Sequence, residues 1–404
     1  MQNNGGYGVS LYLAVRAIRR GNRNTLALTI LIIALVVVLM NFLTMIIGGV
    51  VTIYNQQMID YQYGHVTIEP KDRQTFIADA DSLVKRLQRV PGVTGVTAHV
   101  TTGTTITNPK NGNFLTRGIT AFDPGDEMAV TKYHLAIKEG TFLSKGDTDE
   151  ILIGSLLAGH EDEAQDKIPS IGGIKVGDRV NVAYSNGVVK SYRVKGIFQT
   201  EGVTIDSSAF ITRTEMDSVM HTEGLATEIL VRGTSADAVV PLKYTIMNYG
   251  VEEKVKTWNE RGKGFMGDAI ASFSLINAIM TVVSLIVASV VVFIVTFINI
   301  INRRKQIGIL KAIGIRRQVI VGSYLIQVII LCSCGILLGI LMLNAISFAL
   351  IMYPLKFPMG YITPVLDYAG IVTSVIALFF VTLLSGYIPA WQVAKEEILD
   401  AMRG

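Results

Sequence analysis

Four stretches of this chain contain no Asp, Glu, Lys or Arg: Thr25–Ile53, Ala269–Ile301, Gln318–Tyr353 and Tyr368–Val393. Each exceeds the ~20 residues that an α-helix needs to cross a bilayer. Backbone amides in hydrocarbon must be satisfied within their own segment, so the runs read as four transmembrane helices. A mean hydropathy of +0.44, with half of the residues hydrophobic, fits a membrane protein. The first run is about twice the ~7–15 residues of a signal-peptide core, and no A-x-A cleavage site follows it.

Flanking charge sets the orientation. Arg16, Arg19, Arg20 and Arg23 precede the first run without an acid, and the loop Asn302–Arg317 (NRRKQIGILKAIGIRR) carries six Lys/Arg and no acid, whereas the loop after the third run has only Lys356. The positive-inside bias places both termini and the basic loop in the cytoplasm. The expected partition is a cytoplasmic amphipathic helix over 1–24, transmembrane helices over 25–53, 268–301, 318–353 and 368–394, an extracytoplasmic domain over 54–267 and a short outer loop over 354–367. The basic loop over 302–317 and a tail over 395–404 stay inside. In the N-terminal helix, Leu11, Leu13, Val15 and Ile18 lie mostly away from the arginines, which suits the membrane surface.

Spans one and two are longer than a bilayer requires. At ~1.5 Å per residue, Ala269–Ile301 would reach about 50 Å against a ~30 Å hydrocarbon core. Each helix then either rises outside as a stalk or tilts.

The outer segment holds 23 Lys/Arg against 27 Asp/Glu over residues 54–267. That balance gives no basic face, and nucleic acid is not an expected partner. The segment opens with an alternating strand (His65–Glu69), a helical stretch (Ala80–Val90) and a Thr/Val-rich strand (Gly95–Thr107). A second such unit follows at Thr227–Arg232, Ser235–Tyr249 and Glu252–Trp258. Two β-α-β units separated in sequence predict one split, membrane-proximal α/β subdomain over 65–107 and 227–258. The intervening 113–223 reads as a mostly-β insertion, with a hairpin at Asn186-Gly187 joining Arg179–Tyr184 to Val188–Ile197. The fold class is therefore an α-helical membrane protein with four transmembrane helices plus an α+β extracytoplasmic domain.

No catalytic constellation emerges. The chain has no G-x-x-x-x-G-K-[ST] phosphate loop, no H-E-x-x-H, no G-x-S-x-G and no Rossmann glycine fingerprint. His65, His99, His134, His160 and His221 are scattered without metal-ligand spacing and read as surface residues; no metal site is expected. His160-Glu161-Asp162-Glu163 lacks the alternating oxygen ligands of a calcium loop and reads as solvated. Cys332 and Cys334 point to nearly opposite sides of span three and read as packing residues.

Within the spans, Gly335 and Gly339 form a small-xxx-small pair suited to close helix approach, with span two, span four or another copy as the partner. Gln327, Asn277 and Asn299 are polar at membrane depth, where interhelical hydrogen bonding is the default role. In the basic loop the charges follow from orientation alone, but the ordered interior does not. Ile307, Leu310 and Ile313 recur at helical spacing, Gly308 lies among them and Gly314 stops the helix. A short amphipathic helix bracketed by cations suits docking into a groove on another protein.

Three segments resemble the permease subunits of the ABC transporter group that includes the lipoprotein-releasing (LolC/LolE-like), macrolide-exporter (MacB) and FtsX types. They are Arg303–Gly314 (RRKQIGILKAIG), Pro389–Ala394 followed by Ile398–Arg403, and Leu13–Arg20. Shorter stretches, ILIGSLL at 151–157, KVGD at 175–178, VKGIF at 194–198 and VKTW at 255–258, are most similar to the lipoprotein-releasing branch. The chain departs from the group at Gln327, where an acid is common, and at Glu397, where a proline is common. The resemblance implies that Arg304, Lys305, Gln306, Ile307, Gly308, Ile309, Leu310, Lys311, Ala312, Ile313 and Gly314 form a coupling helix for a cytosolic ABC ATPase present in two copies. It implies ATP and Mg on that partner with no cofactor here, no enzymatic activity on this chain, and a second permease chain as homo- or heterodimer in the inner membrane. Lipoprotein or lipid is the first expected cargo, drug or peptide the second, and an FtsX-like regulator of an extracellular hydrolase that transports nothing is the rival from another class.

Overall fold

The computed structural model describes residues 4–20, 23–160, 168–236, 238–262, 265–302, 304–357 and 360–395. In chain order the helices and strands are α1 (Asn4–Arg20), α2 (Arg23–Gln57), β1 (Val66–Glu69), α3 (Ala80–Leu87), β2 (Val93–Thr107), β3 (Phe114–Phe122), α4 (Pro124–Val130), β4 (Ile137–Gly140), β5 (Glu150–Gly154), α5 (Ser155–Ala158), β6 (Arg179–Tyr184), β7 (Val189–Phe198), β8 (Ala209–Thr212) and α6 (Arg213–Met220). There follow β9 (Glu228–Gly233), α7 (Val239–Asn248), β10 (Lys254–Thr257), α8 (Trp258–Gly262), α9 (Phe265–Ile301), α10 (Arg304–Ala312), α11 (Arg317–Met352), β11 (Leu355–Phe357), β12 (Gly360–Ile362) and α12 (Tyr368–Lys395). Glu161–Glu163 lies outside the described residues. The chain forms two units: Met1–Val50, Ala269–Leu355 and Ile362–Gly404 in one, Val51–Asp268 and Lys356–Tyr361 in the other.

The first unit is helical, and four helices, Arg23–Tyr63, Ser272–Ile301, Arg317–Met352 and Tyr368–Gln392, are long and apolar enough to cross a membrane. Ile33, Val36, Val37 and Met40 of α2 pack with Ala288 and Val292 of α9, Val328, Cys332 and Ile336 of α11 and Leu378 of α12. Asn41 and Ser374, polar side chains in this unit, bond to a helix carbonyl and to each other, whereas Asn277 Oδ1 is buried without a partner among the described residues. Asn41 Nδ2 donates to the Val37 carbonyl and Ser374 Oγ donates to Asn41 Oδ1 at 3.1 Å, which satisfies groups that hydrocarbon would not solvate. Helix length does not single out spans one and two, because α11 has 36 residues beside 35 for α2 and 37 for α9.

The N-terminal helix is also seated on a span, a contact not read from the sequence, while Leu11 and Val15 of its apolar side stay exposed. It packs on α11 through small residues: Ser10 Oγ donates to the Val319 carbonyl at 3.1 Å, Ala14 is buried, and a Cβ at Gly322 would stand 3.3 Å from Ser10 Oγ. The bulkier Leu11 and Tyr12 stay exposed, because the short side chains are the ones that permit close helix approach.

In the second unit, β1-α3-β2 and β9-α7-β10 interleave in one antiparallel sheet of order β10-β1-β9-β2. Leu83, Val84 and Leu87 of α3 and Val239, Leu242 and Ile246 of α7 cover it, with Val66, Ile68, Ile229 and Val231 beneath. The inserted part is a mixed sheet in which β3 runs parallel to β8 and β5 to β7. The hairpin of β6 and β7 turns at Gly187, whose φ of +86° suits glycine. The expected boundary between the subdomains at 107/113 moves, because β2 belongs to both sheets. Gly95–His99 pair with β9, while Val100–Thr107 pair with β3.

Candidate functional site

The basic loop folds as α10 between the ends of α9 and α11. Ile307, 3% exposed, is buried with Ile300 of α9, Ile320, Val321 and Tyr324 of α11, and Ala390 of α12. Gly314 has φ +92°, and the Ile315 amide donates to the Leu310 carbonyl at 3.1 Å, a Schellman closure that satisfies an orphan carbonyl of the last turn. The apolar stripe expected over Ile307, Leu310 and Ile313 is divided. Ile307 and Gly308 face inward and seat the helix, Leu310 is half-buried, and Gln306, Ile309, Ala312 and Ile313 are exposed, Ile309 at 52% and Ile313 at 74%. A nine-residue helix is too short to hold itself, so one apolar position must anchor it. The side chains of Arg304, Lys305 and Lys311, with Arg303 as a whole, lie outside the described residues.

The last turns of α12 are bound to the same place, a contact not read from the sequence. Arg317 Nη2 donates to the Trp391 carbonyl at 3.1 Å, and its guanidinium stands 5.3 Å from the Trp391 ring centre. The Arg-Arg pair closing the loop and the only aromatic in the Pro389–Ala394 segment were the available signal.

Gly335 and Gly339 meet α2, which is span one and was not among the expected partners. A Cβ at Gly335 would stand 2.6 Å from Ile33 Cγ2 and 3.1 Å from the Ile30 carbonyl oxygen. One at Gly339 would stand 2.7 Å from Val37 Cβ and 2.8 Å from the Ala34 carbonyl oxygen. The backbones are close because nothing projects between them. Gln327 and Asn299 line one small cavity with Thr29 and Thr296; Asn277 lines another, of about 410 Å³, with Asn41, Thr281, Asp367 and Ser374.

In the second unit, a charged cluster fastens the segments that lead out of α2 and into α9. After Gln57 the chain continues as a single π-helical stretch, Met58–Tyr63. Asp60, 4% exposed, accepts from Arg232 Nη2 at 2.8 Å and from Lys132 Nζ at 2.7 Å, and Arg232 also donates to the Val130 carbonyl. On α8, Arg261 pairs with Glu228 at 2.7 Å and Glu69 at 2.9 Å, and its guanidinium lies 4.6 Å above the Tyr63 ring. Tyr54 OH donates to the Gly262 carbonyl at 3.0 Å. Glu228 and Arg232 are both on β9, so one strand holds both connecting segments.

The histidine reading is corrected here. His99 is 5% exposed, donates from Nε2 to Glu127 at 2.7 Å and has Nδ1 3.7 Å from Glu228. Burial alone would lower its pKa, but the Glu127 and Glu228 carboxylates outweigh burial and push it up to about 10. Burial raises the Glu228 carboxyl, yet His99 and Arg261 hold it below its ordinary value. Glu127 also accepts from Thr97 at 2.9 Å and Thr131 at 2.7 Å, so its charge is fully hydrogen-bonded. His65 is buried too, with Nδ1 accepting from the Gly233 amide; burial, then Arg232, lowers its pKa. Thr97 and His99 share a face of β2 with Gly95, Thr101, Gly103, Thr105 and Thr107, so no break in an apolar pattern marked the cluster in the sequence. Among the described residues, no group of three or more His, Cys, Asp or Glu is placed to hold a metal.

The family described as MacB-like periplasmic core domain matches residues 26–243, more than half of the chain, and the FtsX-like permease C-terminal family matches 278–398. The chain belongs to the MacB/FtsX-type ABC permease family. It is 25% identical over 154 residues to "Macrolide export ATP-binding/permease protein MacB" of Chromobacterium violaceum, a match covering 38% of this chain and 22% of that one. It is 25% identical over 204 residues to "Uncharacterized ABC transporter permease YvrN" of Bacillus subtilis, covering 50% of this chain and 46% of that one. The chain thus spans less than half the length of the curated relatives it matches. The extracellular domain of the noncanonic ABC-type transporter YknZ from Gram-positive bacteria is similar at a TM-score of 0.35 with 15% identity, over 48% of this chain and 97% of that one, too weakly to bear on the assignment.

In this MacB/FtsX-type permease, the second match takes in α10 and all the residues that bury Ile307, from Ile300 to Ala390. The first takes in α2, β9 and the Asp60, His99 and Arg232 cluster. The four apolar helices and the α/β domain fit a protein of the inner membrane with an extracytoplasmic domain.

Proposed function

We propose that this permease is the membrane subunit of an ABC transporter whose ATPase, on a separate chain and in two copies, docks on the exposed face of α10 and drives the extracytoplasmic domain through α2 and α9. In this reading α10, both termini and the tail are cytoplasmic, ATP and Mg are bound by the partner, and two permease chains pair. The observation that carries it is the division of α10. Ile307 fixes the helix to three spans, so force applied to it enters those spans, while Ile309 and Ile313 present apolar surface that no described residue of this chain covers. The charged cluster on β9 supports the outward end of the relay, because it fastens the segments following α2 and preceding α9 to one strand.

For cargo, a drug or peptide is favoured, since relatives carry the name macrolide export. Lipoprotein or lipid release is the second reading, resting on the short resemblances at 151–157 and 194–198. The docking reading is tested by co-expressing the cognate ABC ATPase with Ile309→Asp and Ile313→Asp. Loss of co-purification and of coupled ATP turnover, with an unchanged melting temperature, is expected; wild-type binding and turnover in both variants would sink it. Reconstituted complexes that hydrolyse ATP yet move neither drug, peptide nor lipoprotein would replace transport by FtsX-like regulation.

A further inference from the structure

An open cleft of about 590 Å³ lies where α1 gives way to α2, lined by Ile18 and Arg19 of α1 and by Arg23, Leu26, Ala27 and Ile30 of α2. Its two ends differ in chemistry. Arg19 and Arg23 are exposed guanidiniums, no acidic residue among the described residues lines the cleft, and the sequence has none before Asp60. Leu26, Ala27 and Ile30 carry the lining into the apolar part of a helix long enough to cross a membrane, where neighbouring Leu28 and Leu31 are themselves exposed. The Ser10 bond to the Val319 carbonyl and the buried Ala14 hold α1, and with it Arg19, against α11.

Two cations facing one concavity repel each other, and an anion between them relieves that cost. Guanidiniums match phosphate oxygens bidentately. An anion attached to acyl chains would also cover the aliphatic wall below, which a hydrophilic phosphate ester would not. We propose that this cleft binds an anionic phospholipid of the leaflet on the N-terminal side, its phosphate between Arg19 and Arg23 and an acyl chain along Leu26, Ala27 and Ile30. The site is independent of what the transporter carries. A resident lipid there would fill the angle between α1 and α2 and fix the entry to span one.

The test is native mass spectrometry of the full chain in neutral detergent titrated with phosphatidylglycerol. Each arginine near an anionic headgroup strengthens binding about fivefold, so Arg19→Gln with Arg23→Gln should weaken it about thirtyfold. Arg16→Gln removes the same charge one turn away, where the guanidinium instead donates to Tyr12 OH at 2.9 Å, and should change binding less than about twofold. Ala27→Trp fills the aliphatic wall and should abolish lipid binding, and millimolar inorganic phosphate should not displace the lipid. The proposal is overturned if Arg16→Gln costs as much as the pair, which would mean diffuse surface attraction, or if the double variant binds as wild type. Displacement by inorganic phosphate with Ala27→Trp silent would identify a free-anion site and remove the lipid.

Discussion

In the membrane-spanning unit, α11 is seated on α2 where Gly335 and Gly339 leave room for Ile33, Ala34 and Val37. In the extracytoplasmic unit, the segments beside α2 and α9 are seated by charges, buried Asp60 with half-buried Arg232 and Lys132, and Arg261 with Glu228, which itself adjoins the buried His99–Glu127 pair. The difference follows from the solvent. Lipid tails are as apolar as leucine, so burying another leucine gains little there and close backbone approach supplies the contact energy. In water, burial of apolar surface already drives folding, and charged pairs can be kept inside provided every partner is present. Damage to the first kind of joint should therefore depend on shape, and damage to the second on charge.

The largest effect is expected at Glu127. Glu127→Ala leaves His99 buried beside one carboxylate 3.7 Å away and leaves the Thr97 and Thr131 hydroxyls without their acceptor. Removing one partner of a buried pair costs about 3–5 kcal/mol. Denaturant unfolding followed by hydrogen exchange in β2 and β9 should show that loss, and a loss under ~1 kcal/mol would mean that the cluster does not hold the sheet. Glu127→Gln, which keeps the shape, should fail nearly as badly if charge is what matters.

The same cluster predicts a pH dependence. The folded pKa of His99, about 10, lies above its ordinary 6.5. Its stabilisation is therefore complete below about pH 6.5 and is lost as pH rises toward and through about 10, with a slope of at most about 1.4 kcal/mol per pH unit for one proton. His65, lowered by burial and by Arg232, has the opposite sign, so its contribution is lost as pH falls below 6.5. The outer unit should be most resistant near neutral pH, and His99→Gln should flatten the alkaline side alone. A stability profile level from pH 7 to 10 in the wild type would contradict the buried imidazolium.

These expectations show where the sequence was readable and where it was not. The four spans, the two β-α-β units and the Asn186-Gly187 hairpin were legible because each follows from a local pattern: charge-free length, periodicity, or a turn dipeptide. The division of β2 between two sheets was not, because a run of Thr and Val alternates in the same way whichever strand it pairs with. The partner of Gly335 and Gly339 was hidden for the same reason: a small-residue stripe records closeness without saying to what. At α10 the helix, its stop at Gly314 and its apolar content were legible. The inward turn of Ile307 was not, since helical spacing marks a face without saying whether this chain or another covers it.

The smaller effects come from glycines and separate two reasons for having one. Gly339→Ala would place a methyl 2.8 Å from the Ala34 carbonyl oxygen and 2.7 Å from Val37 Cβ. Backbone on one side cannot yield, so α11 and α2 must separate, at the ~1–3 kcal/mol typical of overpacking. The melting temperature in detergent should fall, and further with Gly335→Ala added. A double variant as stable as wild type would show that these helices have slack where close packing is inferred.

Gly314→Ala is the smallest and tests the opposite cause. Nothing lies within 4 Å of a Cβ there, so no collision follows, but φ +92° is strained for any residue with a side chain. The expected cost is ~1 kcal/mol, confined to the last turn of α10, because the Ile315-to-Leu310 bond that closes the helix depends on that backbone conformation. The melting temperature of the whole chain should hardly move, since the spans do not rely on this turn, whereas amide exchange at Ile313 and Ile315 should quicken several-fold. If exchange there were unchanged while the spans melted earlier, α10 would be a structural brace of the membrane unit, and the seating of Ile307, rather than the exposed face of Ile309 and Ile313, would be its main purpose.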